Sequence, residues 1–214
     1  SASGNEYTEE GRPEGETAPY TNVYEGFASI TARHFDAQYH VTSRSGYGLV
    51  LEWTGAPSGN IPDHFDRTLL AYDEPKWDFD QWIPNLVVIG LGLNDYSGFG
   101  GWETGVSDEN TKLYKQRYHE FISRIRDVYP GVKILAVAPH VEWIQQNISN
   151  VVATENANGY NDVFYTFYPY YPGGYVNEGH PKSPLPSNML RMSCHPATIE
   201  RPRFQSLAAQ SALI

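Results

Sequence analysis

The stretch "VVIGLGLNDYSGFGGW" (87–102) ends an apolar run with Gly90 and Gly92 and then presents Asn94 and Asp95. Two other stretches carry matching chemistry. "SRSGYG" (43–48) sets Gly46 in a turn of small residues, and "SCHPATIE" (193–200) sets His195 ahead of a proline. A glycine N–H, an asparagine amide and a histidine imidazole are the parts that acyl transfer requires. The first two hold a tetrahedral oxyanion, and the third moves a proton to and from a nucleophile. Asn94 and Asp95 serve equally well as turn formers and helix caps, so that pair alone decides nothing.

Other residues have weaker claims. His180 also precedes a proline, in "EGHPKSP", but sits in a Pro/Gly-rich loop with no helix after it. His140 follows an apolar strand and suits a hydrogen-bonded rim. His34, His40, His64 and His119 read as core or surface residues, and no His/Asp/Glu grouping has metal-ligand spacing. Asp95 is expected to bond neighbouring backbone rather than ionise for chemistry. Trp102, Tyr47 and Trp143 can stack on sugar rings, although aromatics near loops pack as often as they bind. "FYPYYPGGY" (167–175) is open to the same two readings.

The elements around these residues alternate. Residues 1–22 are polar and Gly/Pro-rich, a loop with no core of its own. Val23, Phe27, Ile30 and His34 fall at helical spacing, and "QYHVTS" (38–43) alternates as a short strand. Residues 62–72 suit a short helix with Pro62 in its first turn. "LVVIGL" (86–91) is apolar on both faces, as in a strand buried within a parallel sheet. Ser107 caps a long helix with the stripe Leu113, Tyr114, Tyr118, Phe121, Ile122, Ile125 and Val128, which "YPG" stops. "VKILAVA" (132–138) and "DVFYTF" (162–167) are further strands, and a last helix is expected over 198–213. This alternation argues for a parallel α/β sheet with helices on both faces. Ligands of such sheets sit beyond the carboxyl ends of the strands, where Asn94 would lie.

Bulk properties narrow the partners. The 214 residues suit one domain. No apolar run approaches the ~20 residues of a membrane span. A net charge of −10 argues against nucleic acid or an anionic membrane surface. The single Cys194 excludes an internal disulfide. Sixteen Tyr, five Trp and fifteen Pro beside few lysines suit a secreted, sugar-handling surface. Asn147-Ile148-Ser149 is a glycosylation sequon, without meaning in a bacterial product.

The same stretches carry a resemblance. "GLGLND" resembles the third block (G-x-N-D) of the SGNH, or GDSL, hydrolases, "SRSGYG" their second block, and "CHP" their histidine block. The ordered set "ARHF", "AQYHV", "SRSGYG", "GLGLND", "VKILAVAP" and "SCHP" is similar to carbohydrate esterase family two, over about residues 20–205. The resemblance implies a three-layer α/β/α sandwich with a flavodoxin-like strand order, spanning 23–214. It implies removal of acetyl groups from plant-type polysaccharides, without a cofactor. Gly46 and Asn94 then match the oxyanion donors and His195 the base. Trp102 and Tyr47 are taken as the substrate-binding aromatics on residue type and position, outside the matched motifs.

Two departures from the pattern bear on mechanism. The family's aspartate three residues before the histidine is replaced by Met192. Some family members lack that acid and work with a Ser–His dyad. The nucleophile belongs to a G-D-S motif on the first strand, and no G-D-S occurs in these 214 residues. "GNEYTEE" resembles the family's segment several residues after that serine, which places the serine just upstream of Ser1. Without its strand, those ending near Ser43 and Leu91 would leave buried backbone groups unpaired, at about 1–3 kcal/mol each. A second piece carrying the G-D-S strand, cut off in the polar loop before Ser1 and held non-covalently, is therefore expected. The resemblance implies a cysteine soon after the serine, which would make Cys194 a disulfide partner for that piece. Two alternatives stay open: a non-catalytic carbohydrate-binding relative, and a short-chain esterase or lipase on the same scaffold.

Overall fold

Apolar runs at 86–91, 132–138 and 162–167 become neighbours in one parallel sheet. The computed structural model describes residues 23–168 and 211–213. Its strands are β1 (Gln38–His40), β2 (Leu86–Ile89), β3 (Lys133–Ala138), β4 (Val163–Phe167) and β5 (Ser211–Leu213). They pair in the order β1-β5-β2-β3-β4, all parallel. With β5 set aside, the order is the flavodoxin-like one, and β5 fills the place of the first strand. The expected terminal helix over 198–213 is thus corrected at its end, where 211–213 form a strand; 198–210 lie outside the described residues. Within this chain the pairing between β1 and β2 is made by 211–213, over three residues. Its register is short: Leu213 faces His40 and Val87, and β2 runs on to Ile89 without it.

Among the described residues four α-helices accompany the sheet: α1 (Phe27–His34), α2 (Leu93–Gly98), α3 (Asp108–Val128) and α4 (Glu142–Ala157). Ser107 caps α3 by accepting from the Asn110 N–H at 3.2 Å, and Asp108 and Glu109 complement its dipole. The expected stripe is buried at Tyr114, Tyr118, Phe121, Ile122 and Ile125, while Leu113 is exposed. Truncating a fully buried isoleucine such as Ile122 to alanine costs about 2–5 kcal/mol. β2, β3 and β4 lie in sequence order, so right-handed crossovers bring α3 and α4 to one face, where they pack together.

Three expectations change. α1 buries Ala28, Ser29 and Ala32, the small-residue face, and leaves Val23 ahead of it exposed. The helix expected over 62–72 shrinks to a 3-10 turn, Pro62–His64. α4 has no counterpart among the expected elements. Its Asn147 is buried and donates to the Trp143 carbonyl at 2.7 Å, so the sequon is part of the helix packing. Among the described residues no helix is long and apolar enough to cross a membrane.

Candidate functional site

The end of β2 explains why an apolar strand delivers two polar residues. Gly92 takes φ +135°, and a Cβ there would lie 2.5 Å from Tyr114 Oη and 3.0 Å from Ile144 Cγ2. Only glycine fits such a turn, and it starts α2 at once. Asn94 and Asp95 therefore stand in the first turn of a six-residue helix. The remaining glycines of the stretch, Gly100 and Gly101, follow α2.

Both polar residues grip the same distant loop. Asn94 Nδ2 donates to the Tyr47 carbonyl at 2.8 Å. The Asp95 carboxylate is fully buried and accepts from three successive backbone N–H groups: Leu49 at 2.8 and 3.0 Å, Val50 at 2.6 Å and Leu51 at 3.3 Å. Asp95 does bond backbone, as expected, but across 44–46 residues of sequence rather than next door. Burial pushes its carboxyl up, and the backbone N–H donors offset only part of that rise.

The loop is built to be gripped. Gly46 has φ +82°, and a Cβ on it would come within 2.9 Å of Trp53 Cδ1. Its carbonyl accepts from Trp53 N–H at 3.0 Å, while Gly48 exchanges bonds with Gly59 at 3.1 Å and Ile61 at 2.8 Å. Gly46 thus lies one residue from the carbonyl that Asn94 holds. One amide N–H goes to Tyr47, which fixes the plane of the Asn94 side chain, and the other remains to serve a second acceptor. A glycine N–H on a closed loop and a fixed amide beyond a strand's carboxyl end suit a developing oxyanion, because neither must reorganise.

The other expected residues separate. Tyr47 is half-buried, its ring 5.2 Å from His64 and under the Arg44 guanidinium at 4.8 Å. Trp102, 57% exposed, stands edge-on to Tyr96 at 4.8 Å and leaves most of its ring for another partner. Trp143 is packing: it lies among Tyr96, Phe99 and Tyr114 and donates from Nε1 to Thr111 Oγ1 at 3.0 Å. His140 lies two residues past β3, and burial lowers its pKa. His195, His180, Met192 and Cys194 lie outside the described residues. Sequence reasoning missed Trp53, 58% exposed beside Gly46, and the 49–51 amides. Spacing of the glycines in "SGYGLVLEWTGAPSG" was the one available signal for a folded-back loop.

Known proteins share this arrangement of elements. No protein-family model matches the chain. Cellulase/esterase CelE of Acetivibrio thermocellus is 33% identical over 168 residues, 75% of this chain and 20% of that protein. An acetylxylan esterase/glucomannan deacetylase of Cellvibrio japonicus is 27% identical over 175 residues, 79% of this chain and 46% of that one. The chain therefore spans less than half the length of either relative. A solved family two carbohydrate esterase from Clostridium thermocellum, in complex with cellohexaose, superposes with a TM-score of 0.75 at 29% identity. That match covers 89% of this chain and 58% of the solved one.

Proposed function

The chain is a relative of the family-two carbohydrate esterases, and from that kinship we propose that it forms the SGNH-type catalytic part of a secreted carbohydrate O-acetyl esterase. The observation that carries this reading is the bond from Asn94 Nδ2 to the Tyr47 carbonyl, which sets an amide beside Gly46 at the carboxyl end of the sheet.

In this reading a serine of a G-D-S strand attacks the acetyl carbonyl. No G-D-S occurs in the 214 residues, and the relatives extend well beyond the matched part, so the serine is assigned upstream of Ser1. His195 takes its proton. The Gly46 N–H, the Asn94 amide and the serine's own N–H hold the tetrahedral oxyanion. His195 then protonates the departing sugar hydroxyl, and water repeats the cycle on the acetyl-enzyme. With Met192 in the acid's usual place, the imidazole works in a dyad, at some loss of orientation and imidazolium stabilisation. Trp102 and the Tyr47 ring are assigned to the sugar. The chemistry asks for no cofactor.

The test is acetate release by the full-length protein from acetylated xylan and acetylated glucomannan, beside acetyl and octanoyl esters of one alcohol. Acetate release, with acetyl cleaved far faster than octanoyl, is expected. Preference for octanoyl would move the protein to the lipase branch. Carbohydrate binding without acetate release would make it a binding relative. Denaturing electrophoresis and intact mass of the same material report whether the G-D-S strand shares a polypeptide with these residues.

A further inference from the structure

We propose that Asp95 is a positioning residue of the acyl-transfer site: its carboxylate holds residues 49–51 against α2, so that the Gly46 N–H and the Asn94 amide move as one rigid unit. The inference rests on the functional reading above and adds to it the part that fixes the distance between the two oxyanion donors.

The geometry is a bracket. Asn94 bonds the carbonyl of Tyr47, and Asp95, next in sequence, bonds the amides of Leu49, Val50 and Leu51. Between those attachments lies Gly48, where a Cβ would approach the Asp95 carboxylate to 2.5 Å and also strike the Leu51 carbonyl. The backbone reaches the carboxylate only because that position has no side chain. At the other end of α2, a Cβ on Gly98 would strike Leu51 Cδ1 and the Glu52 carbonyl. Helix and loop are therefore in contact along the whole of α2. Sliding one past the other would break all of these bonds together.

The carboxylate is suited to this task in a way that an amide is not. It is acceptor-only, and two oxygens can serve three N–H donors. Among the described residues no cation pairs with it, so the loop amides carry its charge. Successive N–H groups turned toward one anion form a nest. Tyr114 and Tyr118 wall the site, and the Asp95 charge adds to burial in keeping both phenols protonated. An ion pair with a mobile side chain would leave the donor loop free to shift; three backbone bonds do not.

Asp95→Asn keeps the size and turns one acceptor into a donor that faces backbone N–H groups. In the full-length protein this variant is expected to lose about 10–100-fold in kcat on an acetyl ester, with KM within about threefold. Because Asp95 acts through the oxyanion donors, the Asn94→Ala/Asp95→Asn double variant should lose much less than the product of the two single losses. Native-state amide exchange of the unaltered protein gives a second reading that needs no variant: Leu49, Val50 and Leu51 should exchange as slowly as β2. Fast exchange at those amides, an Asp95→Asn protein with lowered Tm but unchanged kcat, or fully multiplicative losses would each overturn the proposal. An unaltered protein that cleaves no acetyl ester would instead overturn the functional reading, and this inference with it.

Discussion

Gly92 and Tyr114 occupy each other's space: a Cβ on the glycine would lie 2.5 Å from the phenol oxygen, which itself donates to the Leu91 carbonyl at 3.1 Å. The contact joins the strand end to the second turn of α3 and sets where α2 begins. Gly92→Ala is expected to cost on the order of 3 kcal/mol, from strain at φ +135° together with the clash. Tyr114→Phe removes the clashing oxygen but leaves a carbonyl unpaired. The double variant should be more stable than the two single losses predict, and denaturant unfolding of the four proteins measures it. Strict additivity would mean that the alanine is accommodated elsewhere.

The proposed mechanism gives Asn94 and His195 different shares of the chemistry. Asn94→Ala should lower kcat on an acetyl ester by about 10²–10³-fold, the loss typical of an oxyanion donor. His195→Ala should abolish nearly all turnover, and His180→Ala should be mild. Equal, small effects from all three would remove the assignment of roles.

The sequence made some of this legible and hid the rest for physical reasons. β2 and β3 were readable as apolar runs, and β4 as a run of β-branched and aromatic residues at the sheet edge. α3 was readable because Ser107 and a periodic stripe mark it. α4 escaped notice because its buried face contains Asn147 and Glu155. Those side chains are tolerable inside only through the Trp143 carbonyl, Arg126 and His119, and none of these contacts shows in a spacing. α1 misled for the opposite reason, since its larger residues lie at the margin and its small ones face inward. Around the site, the residue types at 46 and 94 were legible, but the link between them was not. Asp95 was placed on local backbone because nothing in a sequence reports a partner 46 residues away.

His40 gives the fold a pH dependence of defined sign. Burial lowers its pKa below the ordinary 6.5, and its ring lies 4.9 Å from that of Trp77 and 5.9 Å from that of Trp82. The folded state therefore binds fewer protons here than the unfolded chain once the pH falls below about 6.5. Stability should decline from that point downward, until the folded pKa is passed. His140 is shifted in the same direction and adds to the decline. His40→Gln, which cannot titrate, should flatten part of the fall in Tm between pH 7 and pH 5.5. An unchanged slope would mean that His40 is as solvated folded as unfolded.

Arg126 should separate stability from chemistry. Its guanidinium forks onto Asp162, with Nε and Nη2 both at 2.8 Å, reaches Glu155 through Nη1 at 2.6 Å and covers the Tyr160 ring at 3.8 Å. These bonds tie α3 to α4 and to the amino end of β4, the end opposite the one where β2 delivers Asn94. Arg126→Met would leave the Glu155 carboxylate, 5% exposed, without its cation, although His119 stays beside it. A loss of about 3 kcal/mol is expected, and Arg126→Met/Glu155→Leu should recover much of it by removing the stranded charge. The sign of the pH effect comes from Asp162, whose pKa is lowered by its bond to Arg126 below the ordinary 3.8. Its contribution is complete above that value and is lost as pH falls through the lower, folded one. The gap in stability between the unaltered protein and Arg126→Met should accordingly narrow below about pH 4. At temperatures where both proteins stay folded, kcat should be equal. A kcat that fell along with stability would mean that the two ends of the sheet are coupled, and that the site is less self-contained than the bonds from Asn94 and Asp95 make it.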